Sequence, residues 1–182
     1  ITVYPPRRPS MIGAGGMDIL VDLGIDRDVE LSIYLSTDGT NRIELQGEGN
    51  LTYAMNRQGD GRFSGRYNLT GGTVRYSPPV ISAKNFAIQD GGYVQWDGEM
   101  MNPQFDILAI ETVNTTVTPE GQTAGRQVAF DISLSVKGTL ADLALIFDLA
   151  APQDLTLQNE LASLTPEERA NQAMGLLLYN TY

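Results

Sequence analysis

Apolar and polar residues alternate with a period of two through most of this chain, the pattern of β-strands that hide one face from water. Ile19, Val21, Leu23 and Ile25 alternate with Asp18, Asp22 and Asp26, and Val29, Leu31, Ile33 and Leu35 repeat the pattern. The longest run places Ile43, Leu45, Gly47, Gly49, Leu51, Tyr53 and Met55 on one parity, against Glu44, Gln46, Glu48 and Asn50. One parity kept through two glycines predicts a single bent strand, or two strands sharing a face. Phe63, Tyr67 and Leu69 make the next face, Gly71-Gly72 reads as a turn into Val74 and Tyr76, and Pro78-Pro79 breaks the ladder. Phe86 and Ile88 lead to Asp90-Gly91-Gly92, a short-hairpin signal, from which Val94 and Trp96 return. Phe105, Ile107 and Ala109 follow Asn102-Pro103, and residues 114–125 read as a long loop. Val128, Phe130, Ile132, Leu134 and Val136 then alternate cleanly, and Leu143, Leu145, Phe147 and Leu149 finish the series. The reading is an all-β body of roughly ten or eleven short strands, mostly joined by hairpins.

Near Ala150 the period lengthens to that of a helix. Thr165-Pro166-Glu167-Glu168 combines an N-cap, proline in the first turn and a capping-box glutamate. Behind it Ala170, Ala173, Met174, Leu177 and Leu178 recur at helical spacing, and a shorter helix carrying Leu157, Leu161 and Leu164 precedes it. One or two short helices from about residue 155 are expected, with no stop signal before Tyr182, so the chain end need not be a natural terminus. Residues 1–16, with Pro5, Pro6, Pro9, Gly13, Gly15 and Gly16, read as a linker or lead-in arm, and 17–182 as a single domain.

Composition narrows the chemistry. The 182 residues include no Cys and no His, which removes disulfides, thiol nucleophiles and histidine-based triads or metal sets. A net charge of −10 repels phosphate backbones, so nucleic acid is not an expected partner. No apolar stretch approaches the roughly 20 residues of a spanning helix. The chain opens with neither Met nor a leader pattern, which reads as a piece of something longer.

Candidate catalytic pairs, Asp90 with Asp97 or Asp22 with Asp26, sit in turns or on the polar parity, where solvation accounts for them. Asp18, Asp22 and Asp26 are spaced by four along a strand and do not form a compact calcium loop. Gly71-Gly72 and Gly91-Gly92 precede no helix start and so cradle no phosphate. Neither an enzymatic site nor a cofactor is expected. The aromatics stand out instead: Phe63, Tyr67, Tyr76, Phe86, Trp96, Phe105, Phe130 and Phe147 all share the apolar parity of their strands. Period two leaves two readings open, a filled core or an open trough for apolar ligands.

From about Tyr67 to Tyr182 the chain resembles the C-terminal domain of the TamB family, the translocation and assembly module of Gram-negative envelopes. The resemblance is carried by Tyr67-Asn68-Leu69-Thr70-Gly71-Gly72, Phe86-Ala87-Ile88-Gln89-Asp90-Gly91-Gly92-Tyr93-Val94, Trp96-Asp97-Gly98, Asn102-Pro103-Gln104-Phe105 and Val136-Lys137-Gly138-Thr139-Leu140. The tail Asn171-Gln172-Ala173 through Leu178 completes it, while residues 1–60 fit only as generic strands of the same architecture. The resemblance implies a periplasmic protein whose inner-membrane anchor lies outside this chain. It also implies a curved, taco-like antiparallel sheet with an apolar concave groove. A TamA-like outer-membrane barrel partner is implied, with roles in outer-membrane protein assembly, secretion and phospholipid transport.

On that reading Leu45, Leu51, Tyr53, Phe63, Tyr67, Leu69, Val74, Tyr76, Phe86, Ile88, Val94, Trp96, Phe105 and Ile107 line the groove. Val128, Phe130, Ile132, Leu134, Val136, Leu145 and Phe147 complete the lining, and the apolar parity carries almost no charge. An acyl chain gains about 0.8 kcal/mol per methylene on leaving water, so such a groove would hold tails rather than headgroups. Two alternatives accompany it: a β-templating chaperone that pairs a sheet edge with nascent outer-membrane proteins, and a closed sandwich module without a groove.

Overall fold

The strands form because alternation gives each of them one face to bury. The computed structural model describes residues 16–79, 82–118, 120–180 and 182, so residues 1–15 of the expected arm lie outside the described residues. Among the described residues nine strands are formed: β1 (Ile19–Ile25), β2 (Glu30–Tyr34), β3 (Arg42–Met55), β4 (Gly61–Tyr76), β5 (Lys84–Ile88), β6 (Tyr93–Gly98), β7 (Gln104–Val117), β8 (Arg126–Thr139) and β9 (Asp142–Ala150). Helices α1 (Leu155–Ser163) and α2 (Pro166–Tyr179) follow. All nine strands join one sheet in the order β1-β3-β4-β5-β7-β8-β9, with β2 beside β3 and β6 between β4 and β7, every pairing antiparallel. The sheet is curved and does not close into a barrel.

The register follows the sequence alternation. Leu45 and Leu51 are buried while Gln46 and Asn50 are exposed, which fixes β3 as one 14-residue strand through both glycines. Two turn assignments are overturned. Gly71-Gly72 does not turn the chain: β4 runs 16 residues straight through it. Gly47 pairs with Leu69 and Gln46 with Gly71, leaving Thr70 as a bulge residue. The bulge switches the buried parity from Tyr67 and Leu69 to Val74. Asp90-Gly91-Gly92 is not a hairpin either. β5 and β6 both lie antiparallel to β4 and β7, so they are two segments of one interrupted strand. β1 and β2 share a row beside β3 in the same way.

The interruptions line up. Residues 26–29 in the first row, the Gln46/Gly47 irregularity in β3, Thr70 in β4 and residues 89–92 in the fourth row make one crease across four adjacent rows. Main-chain bonds bridge it, with Gly91 N–H donating to the Leu69 carbonyl and Leu69 N–H to the Gly92 carbonyl. The crease divides the sheet into a helix half (β2, β5 and the paired parts of β3, β4, β7, β8 and β9) and an open half beyond it, where β1 and β6 lie.

The expected loop over 114–125 is shortened, because Asn114, Thr115, Thr116 and Val117 extend β7 and pair with β8. β-branched threonines favour strand, and the neighbouring β8 supplies the ladder. The helices form where expected. Thr165 caps α2 in a complete capping box with Glu168, and Asp154 caps α1. The missing stop signal is also corrected: Asn180 takes the left-handed conformation, φ 53°, at the end of α2.

Candidate functional site

Curvature brings distant rows of the inner face together. Phe147 on β9 lies 6.2 Å from Phe86 on β5, ring centre to ring centre, although the two strands are three rows apart. The helices lie over the helix half of this face. Leu157 and Leu161 of α1 and Ala173, Leu176 and Leu177 of α2 join the same buried cluster as Val128, Phe130, Ile132 and Leu134. Polar ties hold them there: Thr115 Oγ1 donates to the Asn180 carbonyl at 2.9 Å, and Arg169 pairs with Asp148 at 2.7 Å. Phe130 stacks on Tyr182 at 4.7 Å.

Of the residues expected to line the face, Leu45, Tyr67, Leu69, Val74, Phe86, Ile88, Val94, Phe105, Ile107, Val128, Phe130, Ile132, Leu134 and Val136 form one cluster. Tyr76, Trp96 and Phe147 pack against it, half-buried. Leu51, Tyr53, Phe63 and Leu145 stand apart from that cluster. Ile132 and Leu134 are 0% exposed, covered by the protein's own chain. Leu145, by contrast, is 41% exposed. Two residues not singled out from sequence share its situation: Val21 and Leu23 of β1 have the inward parity of their paired residues Tyr53 and Leu51, yet are 40% and 46% exposed. Both outermost rows therefore show apolar side chains in the open half.

The inner face is less free of charge than the alternation implies. Glu111 of β7 stands opposite Ile132 on the inward parity, between Ala109 and Val113, and its Oε2 is buried without a hydrogen-bond partner. Burial pushes its carboxyl above the ordinary glutamate range, opposed by the charge of Lys84 on β5. The signal was the uninterrupted odd parity of β7 beyond Ala109. Tyr67 is a second polar group inside: its hydroxyl donates to the Val29 carbonyl at 3.1 Å, spanning β3 to hold the break between β1 and β2. Its pKa is raised, chiefly by burial.

Asp18, Asp22 and Asp26, weighed as ligands, are otherwise engaged. Asp18 pairs with Arg57 at 3.1 Å, Asp22 accepts from Thr52 Oγ1 at 2.7 Å, and Asp26 accepts from the Arg27 N–H at 2.7 Å. A recess on the outer side of the crease, lined by Gly24, Asp26, Glu48, Asn50 and Asn68, is polar. No described helix is long and apolar enough to cross a membrane.

Neither a curated protein nor a solved structure matches the chain. A family model, the TamB C-terminal domain, matches residues 7–181. That family is a non-enzymatic module of envelope protein assembly, envelope-spanning in the periplasm, tethered to the inner membrane and associated with TamA-like outer-membrane proteins. With the match spanning nearly the whole length and the single curved sheet and paired C-terminal helices in place, the chain belongs to the TamB C-terminal domain family.

Proposed function

We propose that the domain binds lipid acyl chains along its inner face, as one station of phospholipid transport between the inner and outer membranes. The observation that carries this reading is the exposure of Val21, Leu23 and Leu145, which continue a buried apolar face out to both edge rows of the sheet among the described residues. Exposed apolar side chains at an unclosed seam gain by covering with hydrocarbon, about 0.8 kcal/mol for each methylene that leaves water. On this reading residues 17–182 act as one unit. Extraction of the protein from membranes, followed by mass spectrometry of bound lipid, tests the reading. Co-purified phospholipid supports it, and a protein that carries none from membranes and takes none from vesicles rejects it.

A second reading rests on the edge itself. Among the described residues β1 pairs only with β3, and its other edge carries neither Pro nor Lys, the usual guards against strand addition. A nascent outer-membrane strand pairing there would make β1 a template. Site-specific crosslinking from Leu20, which is 70% exposed, to an unfolded outer-membrane protein separates this reading from lipid binding.

A further inference from the structure

Four of the six methionines gather at one end of the sheet. Met55 ends β3 and pairs across to Ile19 and Gly61, and Gly16, just before Met17, stands against the Arg57 backbone. Two rows further on, Phe63 pairs with Gly98, from which the β6–β7 turn carries Met100 and Met101. Met17 is 73% exposed, Met100 51% and Met101 80%. Behind this rim Phe63 and Trp96 meet edge to face at 5.5 Å, and Leu51 and Phe63 are buried outside the main cluster.

We infer that, among the described residues, this methionine-rimmed end is the single port by which acyl chains reach the inner face. The opposite end is closed by α1, α2 and the Phe130–Tyr182 stack. The inference rests on the lipid reading above and adds a direction to it.

The chemistry of the rim selects hydrocarbon over a peptide strand. Methionine is unbranched and flexible, so it moulds to chains of varied shape. The turn that presents Met100 and Met101 is tied to its neighbours by four hydrogen bonds. Asn102 N–H donates to the Glu99 carbonyl, Leu140 N–H to the Pro103 carbonyl, Ala141 N–H to Asn102 Oδ1, and Trp96 Nε1–H to the Met100 carbonyl. Asp18 and Arg57 neutralise each other beside Met17. Exposed Arg62, Asp97 and Glu99 flank the same rim, and the apolar surface it offers is that of the methionines, matched by an occupant that needs no hydrogen bonds.

The test uses the whole 182-residue chain and phosphatidylethanolamine vesicles carrying a diazirine on the acyl chain. After irradiation, adducts are mapped by mass spectrometry, and a parallel sample is footprinted with peroxide, which oxidises accessible methionines to sulfoxides. Adducts confined to the open half, at residues such as Phe63, Trp96 and Met101, with Met17, Met100 and Met101 shielded from peroxide and Met174 of α2 unchanged, are expected. Replacing Met100 and Met101 together by Ser should weaken capture about tenfold, since thioether burial is lost, with the circular dichroism spectrum unaltered. Adducts at Phe130, Leu161 or Leu176 as well would overturn the single port and leave lipid binding standing. Adducts nowhere would remove lipid binding itself, and the port with it.

Discussion

The rings of Tyr76 on β4 and Phe147 on β9 lie 5.7 Å apart, although their strands stand four rows apart in the sheet. On a flat sheet four rows span about 19 Å, so the contact requires the sheet to curl until β9 faces β4. The curl brings distant apolar stripes together, and the helices fill the half in which it is tightest. Where the helices end, the same stripes run out to the edges uncovered.

Tyr67 holds this curl at its crease. Tyr67→Phe keeps the ring and loses the bond to the Val29 carbonyl, at a cost of about 1 kcal/mol in urea unfolding. Hydrogen exchange should quicken across residues 26–30 and stay unchanged in β8. Uniform quickening would mean that the bond does not act locally.

Gly72 and Gly91 both have positive φ, 123° and 99°, but only Gly72 is crowded. A methyl group at Gly72 would press into the Glu44 carbonyl across the β3–β4 pair, whereas at Gly91 nothing lies within 4 Å. Gly72→Ala should cost about 3 kcal/mol or more, and Gly91→Ala only the backbone strain, roughly 1 kcal/mol. Equal melting temperatures for the two variants would contradict the bulge geometry.

These glycines also mark what was legible in the sequence. Leu45 against Gln46 gave the buried face by alternation alone, and Thr165 with Glu168 gave the helix start by local hydrogen-bonding chemistry. Gly71-Gly72 and Asp90-Gly91-Gly92 misled because the same residue types serve a turn, a bulge or a strand interruption. Which one forms depends on whether a third strand continues the ladder on either side, and β5 and β6 find theirs in β4 and β7. The apolar parity named residues that share one face of the sheet. It carried no information on which of them the helices would cover, because that is decided by contacts between elements far apart in the chain.

Glu111 gives stability a pH dependence. Its carboxyl titrates above the ordinary range in the folded chain, so the folded state holds its proton more tightly than the unfolded state does. The contribution is therefore fully present below the unfolded value, about 4.3, and is lost as pH rises through the folded one. Glu111→Gln should raise the melting temperature at pH 7 relative to wild type, and the advantage should vanish towards pH 4. A constant difference across that range would show that ionisation of Glu111 plays no part.

Thr165 tests the cap. Its Oγ1 accepts from the Glu168 N–H at 3.3 Å, and Glu168 Oε2 accepts from the Thr165 N–H at 2.7 Å, which holds that carboxyl below its usual range. Thr165→Ala should cost about 1 kcal/mol and fray the first turn of α2. Exchange across residues 166–169 is the measurement, and an unchanged profile would count against the cap as a stabilising element.

The sharpest separation between the packed core and the exposed part of the inner face comes from placing one carboxylate in each. Ile132 and Leu134 are 0% exposed beneath the helices, so Ile132→Asp or Leu134→Asp buries an unpaired charge and should cost several kcal/mol, melting the domain. Leu145 is 41% exposed on the same inward parity, paired with Val136, so Leu145→Asp leaves its carboxylate in water. That variant should melt within a few degrees of wild type. If acyl chains cover the open half, it should nevertheless lose most of its photocrosslinking to lipid, because a chain passing Leu145 would have to desolvate the charge. Leu145→Asn, polar but uncharged, should fall between the two. A folded Leu145→Asp protein that captures lipid as well as wild type would place the lipid path elsewhere, and a folded Ile132→Asp protein would show that the helix half is not the packed core described above.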